Sequence, residues 1–152
     1  MRRSRQALPG LAILILGPLA IAGCGVIAAD VEPAEEPAVV AELIEGTELK
    51  RITLSERAAG RLGIETALVV EEQIGDTPRT VVPYAAVLYD AQGVTWAYEN
   101  VEGLTFVRHP ISVETIDGDR AVLTSGPSIG QPVVTVGVAE LWGVDTGVGG
   151  GH

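Results

Sequence analysis

Val113-Glu114-Thr115-Ile116-Asp117-Gly118-Asp119-Arg120-Ala121-Val122 decides the fold. Asp-Gly between two β-branched runs is the strongest hairpin signal in the chain, because glycine supplies the positive φ that a tight primed turn demands. Outward from it, Val133 to Val136 is a further strand behind the loop Ser125-Gly126-Pro127-Ser128-Ile129-Gly130-Gln131-Pro132. Val94 to Glu99 alternates behind the turn Asp90-Ala91-Gln92-Gly93. Thr80 to Val82 is a brief strand that Pro83 breaks before a second run over Ala85 to Tyr89. Leu104 to Ile116 is a long β-rich segment split at His109-Pro110, where proline removes a ladder donor and points to an edge or a bulge. Ile64 to Val70 sets Ile64, Thr66, Leu68 and Val70 on one side and Glu65, Ala67, Val69 and Glu71 on the other, the pattern of a half-buried strand. Thr53-Leu54-Ser55-Glu56 can form a capping box for a short helix near 54–62, whose apolar face is Leu54, Ala58 and Leu62 and whose stop is Gly63. The expectation is an all-β fold, a single small antiparallel β-roll or barrel-like domain over residues 50–145 with one short helix.

Length and charge bound what such a domain can do. The chain has 152 residues, 20 acidic and 10 basic, for a net charge of -10. Residues 1–23 hold three arginines and no acid, so without them 7 bases face 20 acids and the net charge is -13. That balance repels phosphate backbones and argues against nucleic acid as a partner. Cys24 is the only cysteine, which leaves no disulfide framework and no thiolate metal cluster.

The N-terminal stretch has the parts of an export signal: cationic Arg2-Arg3-Ser4-Arg5, apolar Leu8 to Ile21, then small residues. Its apolar part is 14 residues interrupted by Pro9, Gly10, Gly17 and Pro18. A bilayer core of ~30 Å calls for ~20 residues, so a permanent transmembrane helix is the weaker reading. Ile21-Ala22-Gly23-Cys24 resembles the lipobox of bacterial lipoproteins, which implies cleavage between Gly23 and Cys24 and acylation of the Cys24 thiol. Each buried CH₂ contributes ~0.8 kcal/mol, and two or three chains together hold a protein at a bilayer. Residues 24–49 read as an acidic flexible tether, with at most a short helix over Ala38 to Glu45. Asp30, Glu32, Glu35, Glu36, Glu42 and Glu45 lie there among alanines, valines and prolines without a sustained period. Residues 146–152 read as a glycine-rich tail unable to order itself.

Catalytic chemistry finds no convergent set of residues. His109 adjoins a proline within a strand, and His152 ends the chain; neither has a matched acid or nucleophile nearby in sequence. Ser125-Gly126-Pro127-Ser128 lacks the Gly-x-Ser-x-Gly elbow, and Asp117-Gly118-Asp119 lacks the later ligands of a calcium loop. Met1 is the only methionine, so the soft ligands of a copper(I) or silver carrier are absent. No enzyme activity, no cofactor and no metal site are expected.

The order of segments is similar to that of the membrane-proximal domain of periplasmic adaptor subunits, or membrane fusion proteins, of efflux pumps. Ile52-Thr53-Leu54-Ser55-Glu56 through Leu62-Gly63-Ile64-Glu65-Thr66 resembles an early segment of that family, especially its heavy-metal-type members. Val82-Pro83, Ala86-Val87, Val113 to Ile116, Asp117-Gly118-Asp119-Arg120-Ala121-Val122, Ser125-Gly126, Gly130, Val133-Val134 and Gly137 resemble its C-terminal part. Complete members carry a lipoyl-like domain, a helical hairpin and a β-barrel between these parts, whereas here only residues 71–80 separate Val70 from Val81. The resemblance implies a protein-protein interaction module at the extracytoplasmic face of the cell membrane, whose partner is an inner-membrane transporter or its adaptor. Trp96, Tyr98, His109, Pro110 and Ser128 are the candidate docking residues, Trp96 and Tyr98 as aromatic anchors and the other three from the kink and the long loop. The rival readings are a small-ligand or metal-ion binding lipoprotein, which a deep pocket would favour, and a structural envelope lipoprotein.

Overall fold

The computed structural model describes residues 37–148; Gly23, Cys24 and the rest of the stretch up to residue 36 lie outside them, as do residues 149–152. In chain order the elements are β1 (Val39–Leu43), β2 (Lys50–Leu54), α1 (Glu56–Leu62), β3 (Glu65–Leu68), β4 (Val70–Ile74), β5 (Thr77–Pro83), a 3-10 turn (Tyr84–Ala86), β6 (Leu88–Tyr89), β7 (Thr95–Glu102), β8 (Thr105–Pro110), β9 (Ser112–Asp117), β10 (Arg120–Ser125), β11 (Pro132–Val136) and α2 (Val138–Thr146). Strands β1, β2, β8, β7, β11 and β3 lie side by side in one sheet, with β6 added against β7, and β4, β5, β10 and β9 form a second. Every pairing is antiparallel.

The hairpin that decides the fold forms as its composition requires. Asp117 faces Arg120, and Gly118 takes the first central position of the turn at φ 60°, where a side chain would be strained. Elsewhere the chain repeatedly changes sheet. Val69 carries it from β3 to β4 and Ile111 from β8 to β9, both buried and without an intervening loop. At the first switch the Val69 amide donates to the Gln131 carbonyl (2.9 Å) and its carbonyl accepts from Gly130 (2.8 Å). At the second, the Ile111 amide donates to Thr95 (3.0 Å) and its carbonyl accepts from the Thr95 hydroxyl (2.7 Å). Each switch thus keeps its backbone satisfied while turning an apolar side chain inward.

Two apolar layers follow. On one face of the larger sheet, Ile52, Leu54, Tyr98, Phe106 and Val134 pack with Ala58 and Ala59 of α1 and Leu141 of α2. Between the sheets, Val69, Val82, Ala86, Ala97, Ile111, Ala121, Leu123 and Val133 form a second core of smaller side chains. Neighbours along one strand go to opposite layers, Ala97 from Tyr98 and Val133 from Val134, as the strand period of two dictates. The outer face of the smaller sheet carries Val81 opposite both Val70 and Val122. Val81 and Val122 are buried but belong to neither layer. Two ion pairs reach across intervening strands there: Arg79 of β5 to Glu114 of β9 (2.6 Å), and Arg120 of β10 to Glu72 of β4 (2.7 Å).

Several expectations need correction. The ordered chain begins before residue 50, since Val39–Leu43 of the supposed tether is a strand and not a helix. It pairs with β2 from Val39↔Leu54 to Leu43↔Lys50, and its backbone finds in a neighbouring strand what a local period could not announce. Ile64 to Val70 is not one strand: Val69 is the buried residue, and Leu68 and Val70 are exposed, because the sheet switch puts the inward position between them. His109-Pro110 is an edge, as expected, but not the break. Both residues lie in β8 opposite Ala97 and Trp96, beyond the Thr105–Val107 stretch where β2 pairs on the other side, and the break falls at Ile111. Ala85 belongs to the 3-10 turn, which leaves only Leu88–Tyr89 as strand. A second helix, α2, runs into the expected tail as far as Thr146. The short helix near 54–62 is α1, where the Ser55 side chain accepts from the Ala58 amide (3.2 Å) and Gly63 closes the end in the left-handed region.

Candidate functional site

Four of the five candidate docking residues come together on β7 and β8, where Trp96 faces Pro110, Tyr98 faces Arg108 and Ala97 faces His109. The pleat then divides them. His109 points to the face that bears Glu99, with its Nδ1 3.4 Å from the Glu99 carboxylate, and Pro110 is exposed. Tyr98 is wholly buried at 0% exposure, so it cannot meet a partner as expected; it is a core residue with a polar tip. Ser128 stands apart, exposed on the loop beside the Val69 switch. Next to it Ile129 is 54% exposed, and Leu68, opposite Pro132, is 57% exposed.

Trp96 and Tyr98 belong to a polar cluster that the sequence did not announce. Asp145, one turn after Leu141 on the same side of α2, is 4% exposed and is the buried charged residue among those described. Its Oδ2 accepts from the Tyr98 hydroxyl (2.9 Å) and lies 3.4 Å from Arg108 Nε, and its backbone carbonyl accepts from Lys50 Nζ. The Arg108 guanidinium carbon stands 4.5 Å from the centroid of Trp96 and 5.5 Å from that of Trp142, within cation-π range of both. Arg108 Nε is buried and has no full hydrogen bond among the described residues. Trp96 Nε1 in turn donates to Asp90 (2.9 Å), whose other oxygen accepts from the Gln92 and Val94 amides (2.9 and 2.8 Å).

The electrostatics follow from these contacts. Burial, then the neighbouring Asp145 charge and hydrogen bond, push the Tyr98 phenol well above its ordinary range, with Arg108 opposing. The bond from Trp96, aided by the loop amides, holds the Asp90 carboxyl below the usual carboxylate range. The cluster has the chemistry of a structural tie, since its acid, phenol and guanidinium are turned toward one another and away from water. Lys50 and Arg108 are too far in sequence from each other and from Trp142 and Asp145 to be grouped by spacing; the available signal was an acid four residues after Leu141 in an otherwise apolar helical stretch.

Elsewhere an open groove of about 930 Å³ lies beside the first turn of α1, floored by Leu54 and Leu104 and walled by Glu56, Arg57 and Arg61. Among the described residues no three or more His, Cys, Asp or Glu are grouped to hold a metal ion, and no helix is long and apolar enough to cross a membrane.

No family model and no curated protein matches the chain. Among solved structures, a 180-residue segment of SilB from Cupriavidus metallidurans CH34 is similar; it spans that protein's N-terminal metal-binding site and membrane-proximal domain and was solved by NMR. The match is 26% identical with a TM-score of 0.43, and covers 51% of this chain and 42% of that one.

Proposed function

We propose that the protein is a lipid-anchored, extracytoplasmic interaction module that acts by contact with a membrane transporter or its adaptor. The observation that carries this reading is how the segments resembling an efflux adaptor lie against one another. The early segment ends in β3, which pairs directly with the late β11, and β5, β10 and β9 form one continuous ladder. Where complete adaptors carry further domains, this chain closes the gap with the β4–β5 hairpin, from Val70↔Val81 to Ile74↔Thr77. Acylated Cys24 holds the module at the bilayer. Contact is made by Pro110, His109 and the Ser128-Ile129 loop, with the half-buried Trp96 and the buried Tyr98 as its support.

Two measurements in cells test the reading. A photo-crosslinker at Pro110 or Ser128 captures a transporter or adaptor subunit of the membrane, and one at Asp76, on the β4–β5 turn, does not. Fatty-acid labelling marks the wild type and is lost in Cys24→Ser. Equal capture at all three positions would remove the docking surface, and labelling that survived the substitution would remove the anchor.

A further inference from the structure

We propose that α2 is a detachable latch, which leaves the larger sheet as a unit while the rest of the domain stays folded, with the Asp145 cluster as its catch. The inference stands independently of the docking reading. It begins with how little α2 does for itself. The helix has nine residues, Val138-Ala139-Glu140-Leu141-Trp142-Gly143-Val144-Asp145-Thr146, with a glycine inside it, no side-chain cap and no basic residue in its last turn. Helices shorter than about 12–15 residues are marginal alone, and Gly, Val and Thr lower the propensity further. Its form therefore depends on its attachment.

That attachment combines an apolar contact with a polar one. Leu141 is the one wholly buried apolar side chain of α2, in the layer with Ile52, Phe106 and Val134, and Val138, Trp142 and Val144 pack half-buried against the same layer. Asp145 holds Tyr98, Arg108 and Lys50, and Trp142 stacks under Arg108. A buried charge cluster fixes geometry more than it stabilises, because each member has given up water, and here Arg108 Nε is incompletely repaid. On undocking, Asp145 and Arg108 regain their hydration, which offsets part of the lost contact. The core between the sheets has no such compensation, since its members are apolar throughout.

The joint and the linkage are both visible. Gly137 joins β11 to α2 at φ 93°, a backbone conformation in which any side chain is strained, and Ile64 Cδ1 occupies the space a Cβ would take. Arg108 Nη2 also reaches the Glu48 carbonyl (3.5 Å), and Lys50 opens β2, so the catch grips the β1–β2 turn. That turn is also closed by its own bonds, from the Ile44 amide to the Leu49 carbonyl (2.9 Å), from the Thr47 amide and hydroxyl to the Ile44 carbonyl (3.0 and 2.9 Å) and from the Leu49 amide to the Thr47 hydroxyl (3.1 Å). Releasing α2 loosens residues 44–49 with it, coupling the two ends of the described domain.

Native-state hydrogen exchange on the full chain tests the latch. The amides of residues 141–146, with those of Ile44 and Thr47, exchange at least about tenfold faster than those of Ala121 and Val122 in β10. Tyr98→Phe, which removes one bond to the catch, accelerates the first group roughly tenfold more. A single shared protection for α2 and β10 in the wild type would overturn the proposal, as would a folded Tyr98→Phe whose α2 amides exchange no faster than those of the wild type. Should that variant not fold, the wild-type comparison alone decides, and Asp145→Asn, which keeps size and an acceptor, repeats the perturbation.

Discussion

The helix-side layer and the core between the sheets are built on different principles. The first uses large side chains, Tyr98, Phe106, Ile52 and Leu141, and admits an acid and a guanidinium among them. The second is made of Val, Ala, Ile and Leu, with Ala86, Ala97 and Ala121 among its eight buried members. Tyr98 brings a buried hydroxyl into the first layer, whereas the second has no polar side chain among its buried members. The helix side can thus carry a specific tie between distant parts of the chain, while the other core sets the spacing of the sheets.

Core substitutions sharpen this contrast most. Phe106→Ala empties the helix-side layer and lowers stability by about 3–5 kcal/mol, as read from denaturant midpoints at constant slope. Ala121→Leu does the opposite in the other core, overfilling it, and costs about 1–3 kcal/mol. If the alanine site accepted leucine without loss, the close-packed reading of that core would be wrong.

The next effect separates the layers by pH. The Tyr98 phenol has its folded pKa raised, so its contribution is fully present below the unfolded value of about 10 and is lost as pH rises through the folded one. Above about pH 10 the unfolded chain releases a proton that the folded chain keeps, and stability falls by about 1.4 kcal/mol per pH unit. Tyr98→Phe removes that slope; an alkaline profile identical in the two proteins would mean the phenol is not held neutral by its surroundings.

The smallest effect is expected on the outer face of the lesser sheet. Glu114→Gln loosens the bridge to Arg79, both about one-third exposed. Exposed pairs of this kind contribute roughly 0.2–1 kcal/mol, and less as salt is added. A larger and salt-independent loss would show that the pair holds Val81 and Val122 covered through packing more than through charge.

Legibility in the sequence follows the same division. The Asp117–Arg120 hairpin and the capped α1 were readable because their causes are local: a glycine at a positive φ, and a serine oxygen three residues before the amide it caps. Strand β1 was missed because it is short, pairs with β2 alone and places only Val39 against the core. Helix α2 was missed because glycine stands at its start and inside it, so no cap or period marked it. Among the candidate docking residues, Pro110 and Ser128 are exposed, whereas Tyr98 was misjudged because aromatic residues serve cores and surfaces alike.

What the sequence determined by itself was the antiparallel β class, the main turns and the first helix, all consequences of side chains acting within a few residues of themselves. The tertiary structure alone decided that Val69 and Ile111 are switches between sheets, because inward and outward are defined only once the second sheet is present. It alone decided, too, that Lys50, Tyr98, Arg108, Trp142 and Asp145 meet. Their contact depends on which strands lie side by side, and that order follows from burying both faces of the larger sheet at once, a condition no local stretch can express.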